Sequence, residues 1–537
     1  MNQAALHSLY PTTASFLDAQ TLSSLGDSLN SSAEKLLSTV EQLSREGLAP
    51  IFLPDICTLE IARKHVESKA VLQPEPGTGI IVNPSLELCV LNTSGCVDVI
   101  HGRNTNTCPV LGQEMVLVWK NKGTQKIDIA VAKPEDLAAI KIIADGVDPS
   151  SAEAESKLAP GFVDSLLRKA VEKGILLSPS SLLRRKRQDF SANLSISEQH
   201  LSAEVFTLQW HITQDCDLFC RHCYDRSARS NMALDSALDV IDDFDSFCRD
   251  RHVLGQISFS GGNPLLYPGF LKVYERAARK GFSLAILGNP TTREMMEAII
   301  DIARPEYFQV SLEGLPAHND SIRGHGHFQR VMNFLEVLQA VEVQGQVMLT
   351  LTRDNMNQVL PLAEILEGKV WGLAFNRLSP VGRGAALALP DPAEFQDFAE
   401  RYCEAASQLK VLSFKDNMLN AHLAARGGPL FGGCTGFGCG AAFNFMALLP
   451  DGEVHACRKF PSIIGNISTA TLGEIYDGQA AVSYRSRSEA CRECSIIATC
   501  GGCPAVVSGL GLDIAKDRDP FCPGPIHQPQ PPVKSAF

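Results

Sequence analysis

The chain has 537 residues, of which 45% are hydrophobic and 20% are charged, and its formal net charge at pH 7 is −12. This length exceeds what one small domain needs, so we expect several domains. Because the net charge is negative, the chain has no overall positive potential to attract phosphate backbones, which argues against nucleic acid as a partner. No uninterrupted apolar stretch has the length of a membrane-spanning helix, so we expect no membrane association.

The first part of the chain predicts a mainly helical domain over residues 1–112. Leu36, Leu37, Val40 and Leu43 recur at steps of one, three and three, which places them on one face of a helix. The cluster chemistry inferred below does not require this region. It therefore has room for a separate function.

A second part, over residues 113–190, predicts strands followed by helices. The segments are Val116 to Val118, Ile127–Val131, Leu137–Ala144 and Phe162–Gly174. This order resembles the winged-helix leader-recognition element of peptide-modifying enzymes. The resemblance implies that a substrate peptide adds an extended strand to an exposed sheet edge. The alternative is a generic small helical domain that braces the rest of the chain.

Arg184–Arg187 forms the strongest charge run of the chain. Such a run resembles a short nucleic-acid patch. It lies between two predicted domains in an acidic chain, however, so a solvated linker is the favoured interpretation.

Three cysteines follow the apolar run Thr207–Ile212. Cys216, Cys220 and Cys223 have the spacing C-x3-C-x2-C. Three thiolates can hold a four-iron cluster at three corners and leave one iron open to a small molecule. The alternatives are a zinc site that lacks its fourth ligand and thiols that lie together by chance.

Beyond Cys223, strand-like apolar runs alternate with amphipathic helices. The predicted strands are Thr207–Ile212, Gln256–Ser260, Ser283–Leu287, Tyr307–Leu312, Gln346–Leu351 and Gly372–Leu378. This alternation predicts an α/β fold, a partial (β/α)6 TIM-like barrel whose catalytic groups collect at the strand C-termini. Cys248 falls on the apolar face of the first predicted helix, with Ile241 and Phe244, and is expected to be a core thiol.

The three-cysteine spacing followed directly by Tyr224 resembles the signature of the radical S-adenosylmethionine (SAM) enzymes. The resemblance implies that the open iron chelates SAM. An electron from the cluster would then cleave SAM to methionine and a 5′-deoxyadenosyl radical, which takes a hydrogen atom from the substrate. Cys216, Cys220 and Cys223 would be the catalytic metal ligands. The SAM contacts implied by matching motifs are Tyr224, Gly261, Gly262, Asn263, Pro264, Asn289, Ser311, Glu313, Arg323 and Arg377.

One of these contacts departs from the family pattern. Asn263 stands where the family's Gly-Gly-Glu-Pro turn has glutamate, so the backbone role of the two preceding glycines transfers more directly than any side-chain role. The resemblance implies that Ser311 and Glu313 reach the ribose and carboxylate of SAM, and that Asn289 contacts the adenosine. Arg377 would hold a carboxylate through its planar donor fork.

Eight of the 17 cysteines lie between Cys434 and Cys522. Their pattern resembles the SPASM domain, an auxiliary-cluster module of peptide- and protein-modifying radical SAM enzymes. Zinc ribbons are the alternative for such C-x2-C pairs. Two residues separate Cys500 from Cys503, where some relatives have three, which leaves the partition between clusters open. The resemblance implies one four-iron cluster on Cys434, Cys439, Cys457 and Cys503, and a second on Cys491, Cys494, Cys500 and Cys522.

The expected organisation follows from these motifs. It comprises a helical domain at 1–112, a winged-helix recognition domain at 113–190, a radical SAM core at 200–390, a helical linker at 391–430, a SPASM domain at 431–525 and a disordered tail at 526–537. No signal peptide opens the sequence and cluster thiolates must be free, so a cytoplasmic location is expected.

We therefore expect an enzyme with SAM and three [4Fe-4S] clusters that abstracts hydrogen from a ribosomally made peptide. Leu9–Thr13 and Ile51–Ile56 look similar to the N-terminal region of the selenobiotic-type peptide maturases. Complete thiolate ligation suits the auxiliary clusters to electron relay, and a flavodoxin- or ferredoxin-like protein is the expected electron donor. The alternatives are a small-molecule substrate, such as a cofactor or tetrapyrrole precursor, and a noncatalytic electron-transfer or zinc-binding protein.

Overall fold

The computed structural model describes residues 7–18, 21–22, 33–70, 74, 79–102, 108–122, 124–147, 152 and 162–526. The chain divides into two compact units, Met1–Ser180 and Ser181–Phe537. The tail expected at 526–537 lies outside the described residues except for its first position. Among the helices that are described, none combines the length and the apolar character needed to traverse a bilayer.

The first unit contains two small antiparallel sheets, one of three strands and one of two. Their strands are β1 (Ile81–Val82), β2 (Glu87–Ser94), β3 (Val110–Lys120), β4 (Ile127–Val131) and β5 (Leu176–Leu177). β3 lies between β2 and β4, and β1 pairs with β5. The helices are Pro11–Ser15, Ala33–Arg45, Leu53–Ser68, Cys96–Ile100, Pro134–Ala144 and Phe162–Lys173.

Both faces of the three-stranded sheet carry apolar side chains. Cys89 and Leu91 of β2 alternate with exposed positions, as a half-buried strand requires, and pack in one core with Leu36 and Val40. Leu117 on the opposite face belongs to a second apolar cluster with Trp119 and Ile175. The sheet is therefore stabilised by apolar burial on two sides.

The expected division of this region differs from the structure in three ways. Residues 1–112 are not mainly helical throughout, because β2 lies there, and the expected boundary at 112 falls inside β3. The pairing of β2 with β3 joins the two expected domains in one sheet. The expected end at 190 also lies beyond the end of the unit at Ser180. The period-2 alternation in β2 was the overlooked signal.

The second unit is built on one nine-stranded sheet. Its strands are β6 (Val205–Thr213), β7 (Leu254–Gly261), β8 (Ser283–Leu287), β9 (Tyr307–Ser311), β10 (Gly345–Leu351), β11 (Gly372–Arg377), β12 (Phe445–Leu448), β13 (Glu453–His455) and β14 (Ile463–Asn466). The order across the sheet is β11-β10-β9-β8-β7-β6-β12-β13-β14. β6 to β11 are parallel neighbours and form the partial barrel.

Helices connect the barrel strands and continue toward the C-terminus. The helices of this unit are Leu234–Arg251, Phe270–Arg279, Arg293–Ile302, Pro316–Arg323, His327–Ala340, Val359–Leu366, Pro392–Ala405, Leu419–Ala425, Leu472–Asp477, Gln479–Arg485 and Pro504–Gly509. The α/β fold with a parallel sheet is confirmed, and each of the six predicted strands lies within two residues of an observed one. β12 to β14 were not expected to extend this sheet; β12 pairs in parallel with β6.

Alternation along β6 separates the helix-packed face of the barrel from its interior. Phe206, Leu208 and Trp210 are buried in the main core, whereas the Thr207 side chain bonds to Gln256 on β7. Cys248 is buried in the same core, as expected, and burial raises the pKa of its thiol. The interior of the barrel is therefore left to the polar positions between the core residues.

Candidate active site and cluster-binding cysteines

The three cysteines of the barrel lie in the loop directly after β6, at the C-terminal end of the parallel strands. The Cys223 amide donates to the Cys220 carbonyl at 3.3 Å, and the Cys216 and Cys223 thiols lie near enough to Cys220 to add to the rise of its pKa, after burial. Burial raises the pKa of Cys220, and the nearby Arg323 opposes this effect. The Cys223 thiol lies 3.1 Å from the carbonyl oxygen of Asp225. This donor set fits three corners of a four-iron cluster and leaves the fourth to another ligand.

Two glycines bring the end of β7 against this loop. A Cβ atom at Gly261 would lie 2.2 Å from the carbonyl oxygen of Thr213, and one at Gly262 would lie 2.1 Å from that of Asp215. The amides of Gly262 and Asn263 donate to the same two carbonyls, at 2.9 and 2.7 Å. The glycines are needed because two backbones meet here. These two N–H groups therefore anchor the cysteine loop.

Asn263 has a partner that explains its departure from the family pattern. Its side-chain amide donates to Asp217 at 3.1 Å, and the amide of Asn289 donates to the same carboxylate oxygen at 2.6 Å. Asn289 also lies 3.7 Å from the Cys216 sulfur. A glutamate at position 263 would place a second negative charge beside Asp217, whereas an amide satisfies that carboxylate. Pro264 is buried and begins the next turn.

A buried ion pair holds the other side of the cysteine loop. Arg323 donates to Glu313 at 2.6 Å and 2.9 Å, and its remaining terminal nitrogen lies 3.7 Å from the Cys220 sulfur. Glu313 also accepts from the Thr350 amide at 2.9 Å and lies 3.3 Å from His222. Burial opposes ionisation of Glu313, but His222 and Arg323 hold its pKa below the ordinary value. Ser311 is half-buried at the end of β9, two residues before Glu313.

Tyr224 packs against a second buried ion pair. The Arg458 guanidinium lies 4.9 Å from the centre of the Tyr224 ring and bonds to the carboxylate of Asp225. Burial raises the pKa of Tyr224 to about 12, so the ring stays a neutral phenol. The neighbouring His211 is buried, and burial keeps its pKa well below the usual value. This side of the loop is therefore shaped by β6 and by the segment after β13.

The expected SAM contact by Arg377 is wrong. Its guanidinium is completely buried and donates to both oxygens of Asp519 at 2.7 Å and to Asp416 at 2.9 Å. The planar fork does hold a carboxylate, as its chemistry suggested, but that carboxylate belongs to the protein. Arg377 thereby ties the end of β11 to the C-terminal cysteine region.

Four C-terminal cysteines surround one cavity. Its wall includes Cys491, Cys494, Cys500 and Cys522. A zinc ion would need thiolates at about 2.3 Å in a tetrahedron, and among the described residues no group of three or more His, Cys, Asp or Glu side chains is arranged to hold a single ion. The four thiols therefore line one space, as the ligands of one four-iron cluster would.

The remaining C-terminal cysteines form a second set. Burial raises the pKa of Cys457 to about 12, and the nearby thiols of Cys439 and Cys503 add to the rise. Cys434 and Cys439 lie in a tight turn that starts at Gly432, whose carbonyl accepts from the Gly438 amide at 2.7 Å. Cys439, Cys457 and Cys503 are thus neighbours, and the partition of the eight cysteines into two quartets stays a prediction.

The structure assigns neighbours that the sequence patterns did not single out. Asp217, His222, His211 and Arg458 all contact or adjoin expected site residues. His222 lies inside the cysteine motif, where the spacing could have drawn attention to it. Arg458 directly follows Cys457, but its partner Asp225 is 233 positions away, and no local pattern indicates such a contact.

Two family models match this chain. The radical SAM superfamily matches residues 210–366, and the SPASM iron-sulfur cluster-binding domain matches residues 439–503. The chain is 28% identical over 353 residues to the mycofactocin maturase MftC of Mycolicibacterium smegmatis, across 60% of this chain and 84% of that protein. It is 26% identical over 346 residues to the AdoMet-dependent heme synthase of Methanosarcina barkeri, across 59% of this chain and 95% of that protein.

A solved structure is also similar. Streptococcus suis SuiB bound to precursor peptide SuiA matches with a TM-score of 0.49 and 15% sequence identity, across 76% of this chain and 94% of that chain.

Proposed function

Because this chain is a radical SAM enzyme with a C-terminal SPASM domain, we propose that it installs a modification in a ribosomally made peptide. The cluster, when bound with SAM, supplies an electron that cleaves SAM to methionine and a 5′-deoxyadenosyl radical, which abstracts a substrate hydrogen atom. A noncatalytic electron-transfer or zinc-binding role is therefore set aside.

The residues in and around the barrel loop would have different roles in binding the cluster and SAM. Cys216, Cys220 and Cys223 would hold the cluster at three corners. The Glu313 and Arg323 pair fixes the Cys220 side of the loop. Asn289 donates toward Cys216 and thereby fixes the opposite side. Gly261, Gly262 and Tyr224 would complete the SAM site, as proposed from the family pattern.

The side chains in the interior of the barrel support a peptide substrate rather than a tetrapyrrole. In β6 to β11, the positions that alternate with the core residues face the interior of the barrel. None of these interior positions is Lys, Arg, Asp or Glu. The interior positions include Thr207, Gln209, Gln256, Ser258, Gln309 and Gln346. Neutral amides and hydroxyls suit a peptide backbone, because they supply donors and acceptors without a net charge. The carboxylates of a tetrapyrrole would need positive partners there.

The first unit supports recognition of a leader segment. Among the strands that the structure describes, β2 pairs with β3 alone. Leu88, Val90 and Met115 are 51%, 58% and 44% exposed, and Val90 stands directly opposite Met115. An extended peptide adding to β2 would gain backbone hydrogen bonds and cover these apolar side chains. This is the surface that we assign to the winged-helix interpretation.

The C-terminal cysteines would serve electron removal. We assign them to two auxiliary clusters, which makes three with the barrel cluster. Loss of a hydrogen atom leaves a substrate radical, and formation of a new bond or double bond requires one more electron to leave. A fully ligated cluster suits this transfer because it has no open iron. A flavodoxin- or ferredoxin-like protein would supply the electron that begins each cycle.

The second candidate is a small-molecule substrate, which the similarity to a heme synthase favours. The two candidates are separated by incubating the anaerobically reconstituted full chain with SAM, a reductant and either short peptides encoded beside its gene or an iron porphyrin. We expect a mass change in one peptide together with 5′-deoxyadenosine. A product from the porphyrin and none from any peptide would contradict the proposal.

A variant pair tests the leader surface. Val90→Asp should raise the peptide concentration needed for half-maximal turnover, because a charge then lies in the proposed apolar contact. Peptide-independent SAM cleavage should not change. Val482→Asp, which alters an exposed apolar residue of the second unit, is the control. Equal behaviour of the two variants would remove β2 from the proposal.

A further inference from the structure

Two arginines reach into the C-terminal cysteine region from different parts of the second unit. Arg185 belongs to the basic run before the barrel and is only 6% exposed. Its amide donates to the Leu201 carbonyl at 2.8 Å, so the expectation of a solvated linker is wrong at this position. Arg487 follows the helix Gln479–Arg485 and is half-buried as a residue, but its Nε atom is buried.

The partners of both guanidiniums are unusual for buried cations. Arg185 donates to the carbonyls of Phe437 at 2.8 Å and Cys439 at 2.9 Å, and Arg487 donates to the same Phe437 carbonyl at 2.7 Å. The Nε atom of each arginine has no partner among the described residues. Within residues 162–526, no carboxylate lies at ion-pair distance from either guanidinium. Burial, and then the neighbouring Arg487, lower the pKa of Arg185.

The Arg185 guanidinium also lies 4.3 Å from the centre of the Phe443 ring, but neither a ring nor a carbonyl carries a net opposite charge. A buried ion without an opposite charge is strongly destabilising, and two like charges beside one carbonyl make the position worse. The groups that favour the charged form of Arg487 are, in order, Cys439, Cys500 and Cys491. These cysteines come from both proposed quartets, so Arg487 lies between them.

The turn between Cys500 and Cys503 is shaped to admit this side chain. Gly501 has a φ of +68°, and a Cβ atom there would lie 2.7 Å from a terminal nitrogen of Arg487. A side chain at position 501 would therefore displace the guanidinium. The glycine serves both the left-handed turn and the close approach of the arginine.

Other charged groups near the cysteines do not cancel the arginines. Asp519 and Asp416 are buried acids of this region, and both pair with Arg377, at 2.7 and 2.9 Å. Lys459 lies near Cys457 and Cys503, and Arg518 lies near Cys491 and Cys522. The surroundings of the C-terminal cysteines therefore carry excess positive charge.

We propose that Arg185 and Arg487 are the built-in counter-charges of the auxiliary iron-sulfur clusters and raise their reduction potentials. Accepting one electron adds one negative charge to a cluster, and no bond forms or breaks. Nearby fixed positive charge stabilises the reduced form, since net charge and hydrogen bonding set the potentials of such clusters. In the enzyme the electron would come from the substrate radical. This inference rests on the auxiliary clusters of the proposed function and not on the identity of the substrate.

The test is a redox titration of the full chain with Cys216, Cys220 and Cys223 changed to alanine, so that every cluster signal comes from the C-terminal region. Mediators and dithionite set the potential, and electron paramagnetic resonance reports the reduced clusters. Arg487→Gln and Arg185→Gln should each disfavour one-electron reduction by about tenfold, which is about 59 mV. Arg184→Gln removes a neighbouring exposed arginine that pairs with Glu198 and should leave the potentials unchanged.

Charge-conserving variants decide the remaining outcomes. Arg487→Lys and Arg185→Lys should stay near the parent potentials. If both glutamine variants lose iron while both lysine variants keep it, the need for positive charge is supported. Unshifted potentials in glutamine variants that retain full iron would overturn the inference, as would iron loss in the lysine variants.

The same samples separate this inference from the proposed function. Iron analysis and Mössbauer spectroscopy of the parent establish whether auxiliary four-iron clusters are present. If these clusters are absent, the auxiliary clusters of the proposed function are contradicted. If they are present but their potentials do not shift in the glutamine variants, only the role of the two arginines is contradicted.

Discussion

The two cysteine regions of the second unit differ in how their nearby cations are balanced. Beside the barrel cysteines, Arg323 reaches toward Cys220 but pairs with the buried Glu313. Beside the C-terminal cysteines, Arg185 and Arg487 find backbone carbonyls and no carboxylate. The first region is close to neutral around its thiols, and the second is positive.

This difference fits the two opposite electron-transfer roles that we propose for the clusters. A cluster that must give an electron to SAM benefits from surroundings that do not stabilise its reduced form. A cluster that must take an electron from a substrate radical benefits from surroundings that do. Under the proposed function, the electron donor and the electron acceptor would differ in whether the arginine nearest the thiols has a carboxylate partner, as Arg323 has in Glu313.

Removing the barrel thiols should have the largest effect. With Cys216, Cys220 and Cys223 changed to alanine, formation of 5′-deoxyadenosine should fall to the level without enzyme, because the open iron site is lost. Chromatography of the reaction measures this product. Cys248→Ala, at a core thiol, is the control and should retain cleavage. If the triple variant still cleaves SAM, the assignment of the barrel cysteines to the active site is wrong.

Removing one C-terminal thiol should uncouple SAM cleavage from modification of the peptide. Cys494→Ala opens the cavity quartet, so peptide product should be lost while SAM cleavage continues. The ratio of 5′-deoxyadenosine to modified peptide measures the uncoupling. Cys403→Ala, at a half-buried thiol of the helix Pro392–Ala405, should leave the ratio unchanged. Loss of product and cleavage in equal proportion would show that the two regions do not act separately.

The sequence predicted the parts of this arrangement that depend on local patterns. The alternation of strands and helices located the barrel strands, and the cysteine spacing located the three thiols of the barrel loop. It did not predict that Arg377 pairs with Asp519, 142 positions away, or that Arg185 reaches carbonyls more than 250 positions away. Those contacts depend on packing between distant segments, and a run of basic residues looks the same in sequence whether it is solvated or buried.

The Arg377 ion pair predicts the next largest effect. Arg377→Met would leave Asp519 and Asp416 buried without their cation, and breaking a buried pair in this way costs about 3–5 kcal/mol. Asp519 also accepts from the Cys503 amide at 3.0 Å, so the C-terminal cysteines should be affected. We expect a lower unfolding temperature and faster iron release from the anaerobic holoenzyme.

Arg426→Met provides the control for that prediction. Arg426 pairs with Glu400 and Glu404 at the surface, where ion pairs contribute little. The unfolding temperature should stay unchanged in this variant. Equal stability of the two variants would mean that the Arg377 pair does not hold β11 to the cysteine region.

Neutralising Glu313 should have the smallest effect and test the charge comparison most directly. Glu313→Gln leaves Arg323 without its counter-charge, so the barrel cluster should become easier to reduce by about tenfold, or about 59 mV. An easily reduced cluster is a weaker donor, and SAM cleavage should slow accordingly. The barrel cluster is identified during the titration by its change of signal on addition of SAM. Glu297→Gln, which alters an exposed partner of Arg293, should change neither value. A fall in potential would mean that the neutrality of the barrel site does not arise from the Glu313 and Arg323 pair.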